Sequence, residues 1–278
     1  MWKMVQIEPL EGSALSWALA DAWTIAKRNL THIRHMPEKL ADVTVQPVMF
    51  VLLFAYVFGS AIVIPGGNYR EFLMPGIFTQ SVIFATMGIM SSIVTDMSTG
   101  VMDRFRSLPI SRSAVLVGHT FSSLLESLLG LTVMVICGLI VGWRAHTPLA
   151  SVLGGFGLLL YIAFALSWIG VYVGLFLRTT EAAQGVGFVV IFPLTFLANT
   201  FVPTSGFPAW LRAIADWNPT SAFVAATREL FGNGVAVAQT ETAWPLQHAV
   251  PVSIAWCTLV VAIFLPLAVG RFRRAMAS

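Results

Sequence analysis

Charge is what this 278-residue chain has least of: Asp, Glu, Lys and Arg together make up 10% of it, against 57% hydrophobic residues, and the mean hydropathy is +0.81. Soluble domains carry roughly a quarter charged residues, so a water-facing surface cannot be built from this composition. Lysine is rarest, with Lys3, Lys27 and Lys39 the three in the chain, and none of them follows a glycine. That excludes the GxxxxGK phosphate loop, in which a lysine after a glycine reaches the terminal phosphates. Neither HExxH nor GxSxG occurs; His119, His146 and His248 are scattered, and His32 and His35, which share one segment, fit the polar side of a surface helix, which argues against metal or triad chemistry. Cys137 and Cys257 lie within apolar stretches, where a thiol packs as a small hydrophobe. The first long apolar run begins only near Val43, so no cleaved leader is expected.

Long apolar runs are what the chain does have. Six can cross a hydrocarbon core of about 30 Å: Val43 to Ile64, Leu73 to Thr95, Val115 to Val141, Leu149 to Leu177, Ala182 to Val202 and Val250 to Gly270. The fourth is overlong and contains Gly154, Gly155 and Gly157, so a tilt or an interfacial turn is expected at its start. Ahead of them, residues 13–35 repeat Leu15, Leu19, Ala22, Ala26, Leu30 and Ile33 at helical spacing, the pattern of an amphipathic helix on a membrane surface. Residues 1–42 are read as this cytosolic helix and 43–278 as the transmembrane domain. The fold class is all-α and polytopic.

Orientation follows from the basic residues. Lys3, Lys27, Arg28, Arg34, Lys39, Arg104, Arg106, Arg112, Arg178, Arg271, Arg273 and Arg274 fall on one side, and Arg70, Arg144, Arg212 and Arg228 on the other. This bias places both termini and the loop from Asp96 to Ala114 in the cytosol. The longest outer connection, Pro203 to Ala249, is expected to hold two short re-entrant helices. The first carries Phe207, Trp210, Leu211, Ile214 and Trp217 at headgroup level, and the second runs from Thr220 to Leu230 after Asn218-Pro219.

Few polar groups interrupt the spans. Glu126 is the one carboxylate deep inside a span, at a cost of a few kcal/mol, and it reads either as a contact for a cationic cargo or as a residue hydrogen-bonded between helices. Gln80, Gln184 and Asn199 fit interhelical hydrogen bonding. Small residues four apart, Gly138 with Gly142 and Gly170 with Gly174, allow close helix approach. One carboxylate and no internal repeat argue against an ion-coupled carrier.

The cytosolic loop holds a short amphipathic segment, with Val101, Phe105 and Leu108 apolar, Asp103, Arg104 and Arg106 charged, and Pro109 ending it. A charged knob between two spans can dock on a soluble partner. At this point the chain resembles the permease subunits of ABC-2 type exporters, especially the daunorubicin and doxorubicin resistance permeases of actinobacteria. The resemblance rests on His35 to Leu40 with Gln46-Pro47 and Tyr56 to Gly59, on Phe72 to Ile77, on the loop from Asp96 to Arg112, and on Phe192 to Asn199 with Asn218-Pro219. Asp103 stands where many members have Glu.

The resemblance implies a permease that dimerises with a second copy or a related chain and engages an ABC ATPase subunit. The permease itself binds no cofactor, and ATP and Mg sit on that partner. It also implies a coupling helix at Asp103, Arg104, Phe105, Arg106, Leu108 and Pro109. A substrate path along the second and fifth spans would include Gln80, Phe84, Met87, Phe192, Phe196 and Asn199, and Glu126 is a further candidate. The expected function is ATP-driven export of an amphipathic drug across a bacterial plasma membrane. A lipid or glycoconjugate cargo, or an ion-coupled carrier, are the alternatives.

Overall fold

The computed structural model describes residues 45, 48–59, 62, 64, 67–99, 112–233 and 243–275. The amphipathic segment 13–35 and the coupling loop residues Asp103 to Pro109 lie outside the described residues. Among the described residues lie nine helices, besides a 3-10 turn at Thr204–Gly206: α1 (Val48–Phe58), α2 (Tyr69–Ser98), α3 (Arg112–Val141), α4 (Leu149–Gly174), α5 (Thr180–Phe196), α6 (Ala209–Asp216), α7 (Pro219–Phe231), α8 (Trp244–Gln247) and α9 (Ala249–Ala275). Among the described residues there is no strand. Of these helices, within the described residues, α2, α3, α4 and α9 are long and apolar enough to cross a membrane, while α1 and α5 are shorter apolar helices.

The axis of the bundle is α2, which packs on α3, α4, α5 and α7. In its most apolar stretch 61% of the residues are buried inside the fold, against 17% in α9. The apolar surface that α9 leaves outward suits lipid tails or a second chain. Close approach comes from glycine. A Cβ on Gly170 of α4 would sit 2.5 Å from the Ile89 side chain and 3.0 Å from the Thr86 carbonyl of α2, and one on Gly174 would sit 3.1 Å from the Met90 carbonyl. The Gly170/Gly174 pair therefore does what its spacing implies. The other pair divides its roles: Gly138 lets the Met74 side chain in, whereas Gly142, at φ +104°, ends α3 in a conformation that side-chain-bearing residues resist.

Of the tilt or interfacial turn expected at the start of the fourth run, the turn is not found: α4 runs as helix from Leu149 to Gly174, and Gly155 receives the Phe231 ring, 2.6 Å from where its Cβ would be. Two helices are shorter than the runs that hold them. Helix α1 stops after a π-helical stretch, Leu53–Phe58, at Gly59, rather than continuing to Ile64. Helix α5 ends at Phe196 and not near Val202, having only 17 residues. That is about 26 Å at 1.5 Å per residue, short of a full crossing.

Gly170→Leu is expected to push α2 and α4 apart, costing about 1–3 kcal/mol as overpacking does. A lowered melting temperature of the detergent-solubilised protein would show it, and an unchanged one would remove the close-contact assignment.

Candidate transport path and its two ends

One face of α5 carries Phe188, Phe192 and Phe196, spaced four apart and so stacked along the helix. Their ring centroids are 4.8 Å and 4.1 Å apart, with the planes tilted by 27° and 22°. The row continues from Phe196 to Phe201 at 5.0 Å, from Phe201 to Phe54 at 4.2 Å and from Phe54 to Phe58 at 5.0 Å. Phe50 stacks on Phe54 at 6.0 Å. The result is a continuous aromatic ladder joining α5 to α1. Next to its α1 end, Tyr56, Asn68, Tyr69 and Arg70 help line a cavity of about 550 Å³, with the Arg70 guanidinium 4.7 Å above the Tyr56 ring.

The residues expected along the path are only partly brought together. Phe192 and Phe196 are half-buried members of the ladder. Met87 of α2 meets α5 directly, its Cγ 2.7 Å from where a Cβ on Gly187 would lie. Phe84 is half-buried against the main core, and Gln80 is buried one turn away. Asn199 is buried with both polar atoms of its side chain lacking a hydrogen-bond partner. Glu126 is half-buried on α3, a helix that packs on α2, α4 and α9.

Beyond Phe196 the chain turns through residues 197–200, and every carbonyl named here has a side-chain donor. Asn218 donates its amide to the Leu194 and Leu197 carbonyls at 2.7 and 3.2 Å, while its oxygen caps α7 by accepting from the Thr220 N–H at 2.9 Å. Arg228 of α7 donates Nη2 to the Asn199 and Thr200 carbonyls at 2.8 and 3.0 Å, and Nε to the Phe72 carbonyl at 2.9 Å. Its guanidinium also lies 3.5 Å from the centroid of the Phe72 ring. Tyr69 donates its hydroxyl to the Phe201 carbonyl at 3.1 Å, and the Asn199 N–H donates to Ser221 Oγ at 3.1 Å. Gly76 admits the turn, since a Cβ there would be 2.3 Å from the Thr200 carbonyl oxygen.

Sequence reasoning counted Arg228 as a loop charge, yet it is buried. Arg70 and Arg144 likewise cap the end of α3, donating to the Val141 carbonyl at 3.3 Å and the Leu139 carbonyl at 2.9 Å. Arg212 pairs with Asp216 at 3.4 Å. A second missed group lies at the opposite end of α2. His119 of α3, its side chain 1% exposed, places Nε2 3.0 Å from Asp96 Oδ2 and Nδ1 3.3 Å from Ser92 Oγ. Among the described residues no three metal-ligating side chains converge.

Residues 20–231, most of the chain, match the ABC-2 type transporter family. The chain belongs to that family. It is 32% identical to a daunorubicin resistance ABC transporter permease of Streptomyces coeruleorubidus over 95% of its own length and 89% of the relative's. It is 26% identical to a doxorubicin resistance ABC transporter permease of Mycobacterium tuberculosis over 64% of this chain and 62% of the other. As an ABC-2 permease the chain is a membrane transport subunit.

Arg228→Met keeps much of the volume but leaves three carbonyls without their donor, a loss of about 3 kcal/mol or more. Reduced accumulation in the membrane and a lower melting temperature in detergent are expected. Arg228→Lys, which retains the charge but not the fork of donors, should recover only part of the loss.

Proposed function

We propose that this chain is the membrane half of an ATP-driven exporter, pairing with a second permease and with a separate ATPase chain that holds ATP and Mg. The observation that carries the cargo class is the unbroken stack of Phe188, Phe192, Phe196, Phe201, Phe54 and Phe58. Flat aromatic molecules stack on such rings in offset geometry, each contact worth about 1 kcal/mol beyond area burial. The gain is small per ring and repeated along the row, so a cargo can step between sites without being trapped. An amphipathic aromatic drug fits this surface better than a lipid tail, which gains nothing from ring planes. The names of the two relatives, one for daunorubicin and one for doxorubicin resistance, support the same class.

In this reading the chain lies in the bacterial plasma membrane with both termini in the cytosol, as its basic residues favour. The segment Asp103, Arg104, Phe105, Arg106, Leu108 and Pro109 docks on the ATPase. Closure of the two ATPases on ATP presses these segments inward and reshapes the space between permeases. Gln80, Phe84, Met87 and Asn199 border the α2 side of the path; Glu126, on α3, is a polar contact for cargo only if the path widens beyond α5.

Two experiments test this. Gentle purification of the tagged chain from its native membrane should bring down a chain with a phosphate-binding loop, and Arg104→Glu should lower the recovered amount several-fold while membrane insertion stays normal; a chain that comes down alone after cross-linking refutes ATP coupling. Phe196→Ala, which interrupts the ladder at its centre, is expected to slow ATP-dependent daunorubicin uptake into inverted vesicles by about fivefold to tenfold, as loss of roughly 1 kcal/mol of stacking at a shared step would. Equal uptake by variant and wild type would remove the ladder from the path.

A further inference from the structure

The loop read above as the ATPase contact leaves the bundle at the end of α2, Ser98, and re-enters at Arg112, the start of α3. Were these two helix ends free to slide past each other, a push on the loop would splay them and be lost. Purely apolar contacts permit such sliding, since one methyl group substitutes for another along a ridge. A hydrogen-bonded polar pair does not, because it is satisfied in a single register and costs free energy when displaced from it.

We propose that Ser92, Asp96 and His119 form a latch that locks the register of α2 against α3, so that displacement of the loop between them enters the bundle as one rigid movement. This rests on the reading of that loop as the ATPase contact. Asp96 lies in the last turn of α2 and His119 about two turns into α3. Ser92 and Asp96, four apart, share a face of α2. The imidazole is held at both nitrogens, 3.0 Å from Asp96 Oδ2 and 3.3 Å from Ser92 Oγ, which leaves the ring one orientation. Side-chain exposure is 1% for His119 and 13% for Asp96, so water competes little for these bonds. A nucleophilic role is excluded by the same burial, because no substrate can reach the ring.

The latch is continuous with a separate apolar cluster. Ile93, beside Ser92, and Leu116, one turn before His119, pack with Ile89, Trp168, Val171, Leu175, Ala268 and Phe272. That cluster joins α2 and α3 to α4 and α9. A movement of the latched pair therefore reaches four helices at once. Ser92, Asp96 and His119 are positioning residues: they touch no cargo and no nucleotide, and they set how much of each ATP closure becomes transport.

The test uses the permease coexpressed with its ATPase chain and reconstituted together in liposomes, reading daunorubicin moved and ATP hydrolysed in the same sample. His119→Ala and Asp96→Ala are each expected to lower daunorubicin moved per ATP by about tenfold, within the usual span of coupling between sites, while ATPase recovery and hydrolysis change by less than about twofold. The exchanged pair Asp96→His with His119→Asp should regain much of the lost ratio, as a direct interaction predicts in a double-mutant cycle. Unchanged transport per ATP in both single variants overturns the proposal. Parallel loss of hydrolysis and transport overturns it too, because a merely structural pair behaves that way. Where His119→Ala fails to accumulate, Ser92→Ala and Asp96→Asn, which each weaken one bond, decide by the same ratio. If the docking reading itself is wrong, the signature is different: the wild type shows no ATP-dependent transport and Arg104→Glu leaves ATPase recovery unchanged.

Discussion

A backbone carbonyl removed from water without a hydrogen-bond donor costs about 2 kcal/mol or more, and a helix that stops within a membrane leaves several such carbonyls at once. The stop of α5 at Phe196 makes this the governing constraint of the end of the bundle that Phe196 and Arg228 share. Asn218, Arg228 and Tyr69 supply the donors, the first two from the cap and body of α7 and the third from the start of α2. To deliver them, α7 must be buried beside α2 and α4, which it is, with Val224, Thr227, Arg228 and Phe231 inside the fold. The re-entrant helix is thus held in place by the needs of the turn it serves. Gly76 and Gly155 provide the room, one for the turn and the other for Phe231.

The same axis, α2, meets a polar device at each end and apolar surface between. Toward the Arg228 end its Phe72 carbonyl joins the clamp; at the other end Ser92 and Asp96 hold His119. Between them the contacts with α4 and α5 run through glycines and methionines, including Gly170, Gly187, Met87 and Met90. Polar contacts set register while small and flexible apolar residues set distance. The aromatic ladder lies on the side of α5 facing α1, outside this frame.

Much of the architecture was legible in hydropathy. Four of the six apolar runs fall on α2, α3, α4 and α9, the helices long and apolar enough to cross a membrane among the described residues, because burying a helix in lipid demands an apolar residue at nearly every position. Asn218-Pro219 marked the break ahead of the helix expected from Thr220 to Leu230, which the structure shows as α7, capped by the Asn218 side chain. The Phe192 and Phe196 spacing was visible too, although Phe54 and Phe201 joined the ladder only in three dimensions. What hydropathy hid were the pairings of polar residues: His119 and Asp96 lie 23 positions apart, and Arg228 reaches a carbonyl 156 positions away. No periodicity encodes such contacts.

Alone, then, the sequence determined that lipid surrounds this chain, that it carries no phosphate loop, and that its family is the ABC-2 permeases, since solvent preference and motif spacing are properties of neighbouring residues. Only the tertiary structure decided where α5 stops, that Arg228 serves the backbone rather than a loop, and that His119 ties two helices together. Each of those depends on which distant atoms come within hydrogen-bonding reach, and the packing of α2 against its neighbours is what sets those distances.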